Sequence, residues 1–246
     1  MRIAVLSDIH GNAMALEAVL AHARSRGADR FLNLGDILYG PLEPKRTMDL
    51  LAGLDALTIQ GNQDRDVYEA DAAKLAASPT FRHVVGEIGD DGLRWLRSLP
   101  KTASLGEEIF LCHGSPSSDL TYLLEDVTSG FAVVRADEAI VSELEGIRHP
   151  IVVCGHTHTA RVVHLSTGQT VINPGSVGLP AYDDDLPVPH VMQSWSAHAS
   201  YALLEERRGE WDVELCRVPY DHPGAAALAR VRGRDDWARW LETGRA

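Results

Sequence analysis

The stretch of sequence that decides the fold is Val5-Leu6-Ser7-Asp8-Ile9-His10-Gly11-Asn12. The apolar run Ile3–Leu6 predicts a buried strand, and the chain turns polar directly after it. Residues two apart in extended backbone point to the same side, so Asp8 and His10 are expected to project together from the strand end. A carboxylate and an imidazole on one side make half of a site for a divalent metal. A helix N-cap beside an incidental histidine is the alternative, and the other strand ends decide between the two.

Length and charge limit the classes of protein that this chain can belong to. Its 246 residues predict one domain over 1–246, with a helical appendage over about 220–246. The formal net charge of −12 argues against general binding to nucleic-acid backbone or to anionic lipid. No apolar run reaches the roughly 18 residues of a membrane span, and the N-terminus does not resemble a signal peptide. With only three cysteines, none in a zinc-knuckle spacing, we expect a cytoplasmic protein.

Hydrophobic patterning predicts an α/β protein with a largely parallel sheet. Strands over 2–7, 30–34 and 57–59 alternate with helices over 12–26 and 46–54, which is typical of a sheet covered by helices. Two or three helices are predicted in 66–99, and 116–134 is expected to be irregular. The remaining elements are predicted as strands over 102–105, 109–112, 151–154, 161–165 and 170–172, a helix over 135–144, a hairpin of 201–205 with 211–218, and one or two helices from Pro223.

The segment 179–198 shows no regular period and is predicted to be a long loop. It contains Asp183, Asp184 and Asp185 together with three prolines. Long loops in compact domains often act as lids, and a solvated surface loop is the alternative. As a lid, its carboxylates would repel polyphosphates and favour compact substrates.

Five of the predicted strands each end in a cluster of polar residues beside a glycine. Since ligands bind outside the carboxyl ends of strands in open α/β sheets, these clusters are expected to meet. Together they offer two carboxylates, four imidazoles and one amide, too many for one ion and suited to two ions that share a carboxylate. The residues are Asp8, His10, Asp36, Asn62, His113, His156 and His158.

The order of these motifs resembles the calcineurin-like metallophosphoesterase superfamily, most closely its small bacterial and archaeal phosphodiesterases. The resemblance covers about residues 1–220 and rests on the motifs Asp8-x-His10, Gly35-Asp36, Gly61-Asn62-x-Asp64, His113-Gly114 and Gly155-His156-x-His158. It implies a four-layer α/β/β/α sandwich with the metal site at the carboxyl ends of the strands.

The resemblance also implies a dinuclear centre with assigned ligands. One ion would take Asp8, His10 and His158, the other Asn62, His113 and His156, and Asp36 would bridge the two. The mixed oxygen and nitrogen ligands suit Mn²⁺, Fe or Zn²⁺. The ions would turn a water into the hydroxide nucleophile that attacks a phosphodiester or nucleotide-like substrate.

Position 63 departs from the family pattern, which usually has His where this chain has Gln63. Gln63 is the candidate catalytic residue, although a carboxamide donates a hydrogen bond and transfers no proton. Asn12, Gln63 and Gly114 adjoin the clusters and are the candidate contacts to a small phosphoester substrate. The alternative function is a protein-binding scaffold with a weak or vestigial site, and the sequence predicts no oligomeric state.

Overall fold

The structure is a computed structural model that describes residues 1–246. It contains fourteen strands and eight helices. The strands are β1 (Arg2–Leu6), β2 (Arg30–Asn33), β3 (Ala56–Thr58), β4 (Thr102–Leu105), β5 (Ile109–Cys112), β6 (Glu125–Asp126), β7 (Val133–Val134), β8 (Ile151–Val153), β9 (Arg161–His164), β10 (Thr170–Asn173), β11 (Ala181–Asp184), β12 (His190–Gln193), β13 (Ala199–Arg207) and β14 (Glu210–Val218). The helices are α1 (Ala13–Ser25), α2 (Pro44–Ala52), α3 (Asn62–Tyr68), α4 (Ala72–Ala77), α5 (Pro79–Ser98), α6 (Asp137–Glu143), α7 (His222–Val231) and α8 (Asp235–Thr243).

Two five-stranded sheets form the centre of the molecule. The first has the strand order β14-β13-β1-β2-β3, and the second has the order β4-β5-β8-β10-β9. Strands β1, β2 and β3 run parallel, as do β5, β8 and β10, while β13, β14, β4 and β9 pair antiparallel with their neighbours. The parallel strands therefore end at one edge of each sheet, which is where ligand sites form in α/β folds.

Alternating side chains explain why the sheets stack with helices outside them. In β1, Ile3 and Val5 belong to the apolar cluster between the two sheets, whereas Ala4 and Leu6 pack in the cluster that includes α1 and α5. Both faces of this strand are buried, as its continuous apolar sequence predicts. On the outer face of the second sheet, Ile140 of α6 packs against β5, β8 and β10. The predicted α/β/β/α sandwich is confirmed.

Local sequence signals account for several helix boundaries. The Asn12 side chain accepts a hydrogen bond from the N–H of Ala15 and so caps α1. At the other end, Gly27 has φ +80° and the Ala28 N–H donates to the Ala23 carbonyl, the pattern of a Schellman cap. Within 66–99, where two or three helices are predicted, Pro79 begins α5, because its fixed φ and missing N–H suit the first helical turn.

The prediction that 179–198 is a loop without regular structure is wrong. Strands β11 and β12 pair antiparallel within it, and Ala181 lies opposite Gln193. Met192 of this hairpin is fully buried in a small cluster with Tyr122 and Val127. The sequence did not predict this hairpin, because its two strands have only four residues each and show no clear hydrophobic alternation. Their stability comes from contacts with residues distant in the chain. The pair β6–β7 likewise lies within 116–134, which we expected to be irregular.

The C-terminal helices, which the sequence predicts from Pro223 on, pack on the rest of the molecule through an apolar face. Trp237, Trp240 and Leu241 are buried in one cluster with Leu42 and Leu179. Helices α7 and α8 also pack closely against each other. None of the helices of the structure combines the length and the apolar character needed to cross a bilayer.

Candidate metal centre

Backbone hydrogen bonds hold the polar strand ends together. The N–H groups of Asp8 and His10 donate to the carbonyls of Gly35 and Asp36, each at 3.0 Å, which joins the segments that follow β1 and β2. In the second sheet the Gly155 N–H donates to the His113 carbonyl at 2.7 Å and joins the segments after β5 and β8. These bonds bring short polar segments together at neighbouring edges of two stacked sheets.

The structure brings all seven predicted metal ligands to this edge. Asp8, His10 and His158 form one group, and their ligand atoms all lie within 4.8 Å of one another. A second group, with the same spacing, contains Asp36, His113 and His156. Asn62 joins the second group, because its Oδ1 lies 3.1 Å from His113 Nε2.

The first group has a hydrogen-bonding pattern that calls for a cation. His10 Nδ1 donates to the Tyr39 carbonyl at 3.0 Å, and His158 Nδ1 donates to the Leu179 carbonyl at 2.6 Å. A carbonyl only accepts, so in the neutral rings both Nε2 atoms carry lone pairs, and these atoms face each other at 3.2 Å. Asp8 Oδ1 is buried without a hydrogen-bond donor, 3.3 Å from His158 Nε2. A metal ion would satisfy all three acceptors.

The second group repeats this arrangement. His113 Nδ1 donates to the Leu34 carbonyl at 2.8 Å, which directs its Nε2 toward Asn62 Oδ1 and, at 3.4 Å, toward Asp36 Oδ2. These three atoms are all acceptors when the ring is neutral, so they repel one another unless a proton or a metal ion lies among them. The donor set of imidazole, carboxylate and amide fits a divalent transition metal.

The charges of the centre show the same attraction for a cation. Burial, reinforced by neighbouring histidines, lowers the pKa of both His10 and His156 to about 4. Burial also opposes a charge on His113, yet Asp36 and Asp8 outweigh it and raise the pKa of His113 to about 10. Without metal, a proton on His113 therefore neutralises part of the carboxylate charge.

Backbone strain is concentrated at the predicted ligands. Asp8, His10 and Asp36 have φ between 51° and 55°, and His156 and His158 have φ of 69° and 56°. Non-glycine residues in this left-handed region cost of order 1–3 kcal/mol each and persist where the surroundings hold them. Left-handed turns at Asp8 and His10, and not the extended backbone expected from the sequence, therefore place both side chains in the first ligand group.

At two of the glycines beside the clusters, a side chain would collide with the site. A Cβ on Gly61 would lie 2.1 Å from Asp36 Oδ1, and one on Gly155 would lie 2.0 Å from Ser7 Oγ. Any side chain at these positions would displace a ligand or its support. At Gly114 a Cβ would instead meet the Ser118 carbonyl at 2.6 Å, so this glycine lies against the following loop.

Asp64 is a supporting residue whose role the sequence did not reveal. It is fully buried and accepts hydrogen bonds from the N–H groups of Asp36 at 2.8 Å, Ile37 at 2.9 Å and Gly61 at 2.9 Å. One carboxylate thus joins the loop of Asp36 to the loop of Asn62. Its place in the motif Gly61-Asn62-x-Asp64 was the available signal, but two of its three partners, Asp36 and Ile37, lie 28 and 27 residues away.

A cavity of about 200 Å³, called here the central cavity, opens over both ligand groups. Its wall includes aromatic residues that the sequence did not assign to the site, among them Tyr39, Tyr182 and Trp237. The Trp237 ring meets the His10 ring edge-on, with 5.7 Å between centroids. Helix α8 therefore lines the site, and the hairpin β11–β12 contributes Asp183 and Asp184 to the rim.

The candidate substrate contacts occupy different places. Gln63 lines the central cavity, and its N–H donates to Asp36 Oδ1 at 2.8 Å. The Asn12 amide donates to the Gly178 carbonyl and to the Tyr220 hydroxyl, so its polar atoms are engaged within the fold. Asn12 and Gly114 do not line the central cavity, and their contact with substrate stays a prediction.

Comparison with known proteins places this geometry in a family. Residues 1–205 match the calcineurin-like phosphoesterase superfamily domain. An uncharacterised protein of Methanocaldococcus jannaschii is 26% identical over 231 residues, which cover 89% of this chain and 88% of that protein. The crystal structure of a metallophosphoesterase from Sphaerobacter thermophilus is similar with a TM-score of 0.76 and 25% identity, covering 99% of this chain and 100% of that chain.

A zinc-bound Vps29 from Entamoeba histolytica is a more distant likeness. It has 18% identity and a TM-score of 0.48, covering 88% of this chain and 99% of that chain, which is too remote to carry a functional argument. The family match, in contrast, spans the second sheet, most of the first and all seven clustered residues. The chain belongs to the calcineurin-like phosphoesterase superfamily.

Proposed function

We propose that this protein is a dinuclear metal-dependent phosphoesterase that hydrolyses a small phosphodiester or nucleotide-like substrate. The observation that carries this proposal is the pair of ligand groups, each of which brings carboxylate and imidazole ligand atoms within 4.8 Å of one another, with Asp8 Oδ1 of the first group buried without a donor. A scaffold without catalytic demand has no need for buried, strained and mutually repelling ligands. Their completeness therefore supports an enzyme over a protein-binding scaffold.

The residues of the centre would divide two divalent ions between them. Asp8, His10 and His158 would hold one ion, and Asn62, His113 and His156 the other. Asp36 would contact both, and Mn²⁺, Fe or Zn²⁺ suit these donors. Such ions, when bound, supply Lewis acidity toward phosphoryl oxygens and lower the pKa of a coordinated water.

The remaining residues of the central cavity would position the substrate. The volume of about 200 Å³ lies below the ~300–1,000 Å³ common for ligand pockets, which favours a compact phosphoester. Gln63 can donate a hydrogen bond to a phosphate oxygen but carries no proton for the leaving group. We infer that the enzyme acts best on esters whose leaving group departs as an anion.

The net charge of the protein and its buried cysteines support the proposed substrate class and cellular location. The net charge of −12 supports a small substrate drawn locally to the metal centre, without general nucleic-acid binding. Cys112, Cys154 and Cys216 are buried and free, which supports a reducing, cytoplasmic environment.

The decisive experiment is the substitution Asp36→Asn. We expect it to remove most phosphoesterase activity and at least one equivalent of metal, because a bridging carboxylate becomes a neutral amide. Metal content is measured by elemental analysis, and activity is screened with Mn²⁺ against phosphomonoesters and phosphodiesters. Asp91→Asn, which changes an exposed carboxylate on α5, is the matched control. Full metal content with retained turnover in Asp36→Asn would refute the assignment.

A further inference from the structure

A second cavity opens beside the central cavity and shares part of its wall. This side cavity has a volume of about 570 Å³, within the range of pockets that hold organic ligands. Asn62, His156 and Asp184 line both cavities. A phosphoester held at the metal centre therefore has direct access to the side cavity through the second ligand group.

The side cavity has polar and acidic residues in its wall together with several large apolar side chains. Tyr122 lies at its inner end, where its ring centroid is 4.9 Å from that of His156. Leu120 and Leu186 lie at the outer end and expose 60% and 73% of their surface, while Val127 is buried. Large apolar side chains left in water around a recess next to a reactive centre indicate a ligand that covers them.

The charges around the side cavity oppose a second anionic group. Asp126, Glu143 and Asp184 line it together with a single cationic residue, Arg135. The Arg135 guanidinium is already engaged, because it donates to the Tyr122 carbonyl at 3.0 Å and to Glu143 at 3.5 Å. A further phosphate or carboxylate in this cavity would meet net negative charge and no cationic side chain free to bind it.

We propose that the side cavity binds an uncharged, apolar organic group of the phosphoester substrate. This inference rests on the proposed function and narrows it: the central cavity holds the compact phosphate end of the ester, and the side cavity takes a bulky apolar substituent. Polyphosphorylated substrates are excluded by the same acidic wall. The phosphate lies over the ligand groups in the narrow central cavity, and the apolar group extends past Asn62 and His156 between Tyr122 and Leu186.

The test compares three phosphodiesters that share a p-nitrophenyl leaving group. Their second substituents are methyl, hexyl and 5-carboxypentyl, so the last two match in length and differ in charge. We expect the Mn²⁺-loaded wild type to show the highest kcat/KM for the hexyl ester. In Leu120→Ser and Leu186→Ser, the ratio of hexyl to methyl kcat/KM should fall about tenfold, the lower end of the effect of lost apolar contact in a pocket.

Val231→Ser is the matched control, because Val231 is 84% exposed on α7 and lines neither cavity. It should keep the wild-type ratio. Unchanged ratios in both leucine variants, or a carboxypentyl ester hydrolysed as well as the hexyl ester, would overturn the proposal.

Binding separates this proposal from the proposed function. If wild type hydrolyses none of the esters, the phosphoesterase assignment fails, and calorimetry with hexylphosphonate and methylphosphonate still tests the cavity. Preferential binding of hexylphosphonate that is about tenfold weaker in the leucine variants would support the side cavity. Equal affinities for both phosphonates would refute it.

Discussion

Removal of the Asp64 carboxylate tests how the centre is supported. In Asp64→Ala, three buried N–H donors, those of Asp36, Ile37 and Gly61, lose their acceptor. An unsatisfied buried donor costs about 1–3 kcal/mol, so three give an upper range of about 3–9 kcal/mol. Since water can enter the vacated space, we expect a loss of about 4 kcal/mol in the free energy of unfolding.

The measurement is equilibrium unfolding in urea with a metal chelator present, which removes the contribution of metal binding. Asp66→Ala is the control, because Asp66 lies two residues further along α3 and pairs only with Lys74 and Arg65 near the surface. That change should cost under about 1 kcal/mol. The Asp64→Ala variant should also bind Mn²⁺ more weakly than the wild type, because Asp64 fixes the segments that carry Asp36 and Asn62. A loss below about 1 kcal/mol with unchanged Mn²⁺ affinity would refute the argument.

Two further predictions concern the chemistry of the centre. Because Gln63 supplies no proton, kcat/KM should depend steeply on leaving-group pKa, and Gln63→His should accelerate alkyl esters by up to about 10²–10⁴-fold while changing nitrophenyl esters little. A shallow dependence in the wild type would contradict this role. Since the pKa of His113 is raised to about 10, a metal ion must displace its proton at neutral pH. The apparent affinity of the protein for Mn²⁺ should therefore rise by up to about tenfold per pH unit between pH 6.5 and 7.5. Calorimetry in buffers of different ionisation enthalpy would count the released proton, and pH-independent affinity without proton release would contradict the prediction.

The positions of the metal ligands were accessible from sequence because each follows directly on an apolar strand. Asp8 and His10 follow β1, and His156 and His158 follow β8, so local order alone predicts that they reach the ends of strands. Parallel pairing then brings those ends to one edge, a general property of α/β folds. The fold class and the clustering of the ligands depend on these short-range patterns.

The walls of the cavities depend on contacts that no local pattern encodes. Trp237 meets His10 across more than two hundred residues, and Tyr182 reaches the centre only because β11 pairs with β12. Periodicity reports that a residue is buried, but not which distant residue it packs against. The sequence by itself therefore determined the two main sheets and the polar residues that cluster at their edge. The tertiary packing decided how helix α8 and the hairpin enclose the site, because that enclosure is a sum of contacts between residues far apart in the chain.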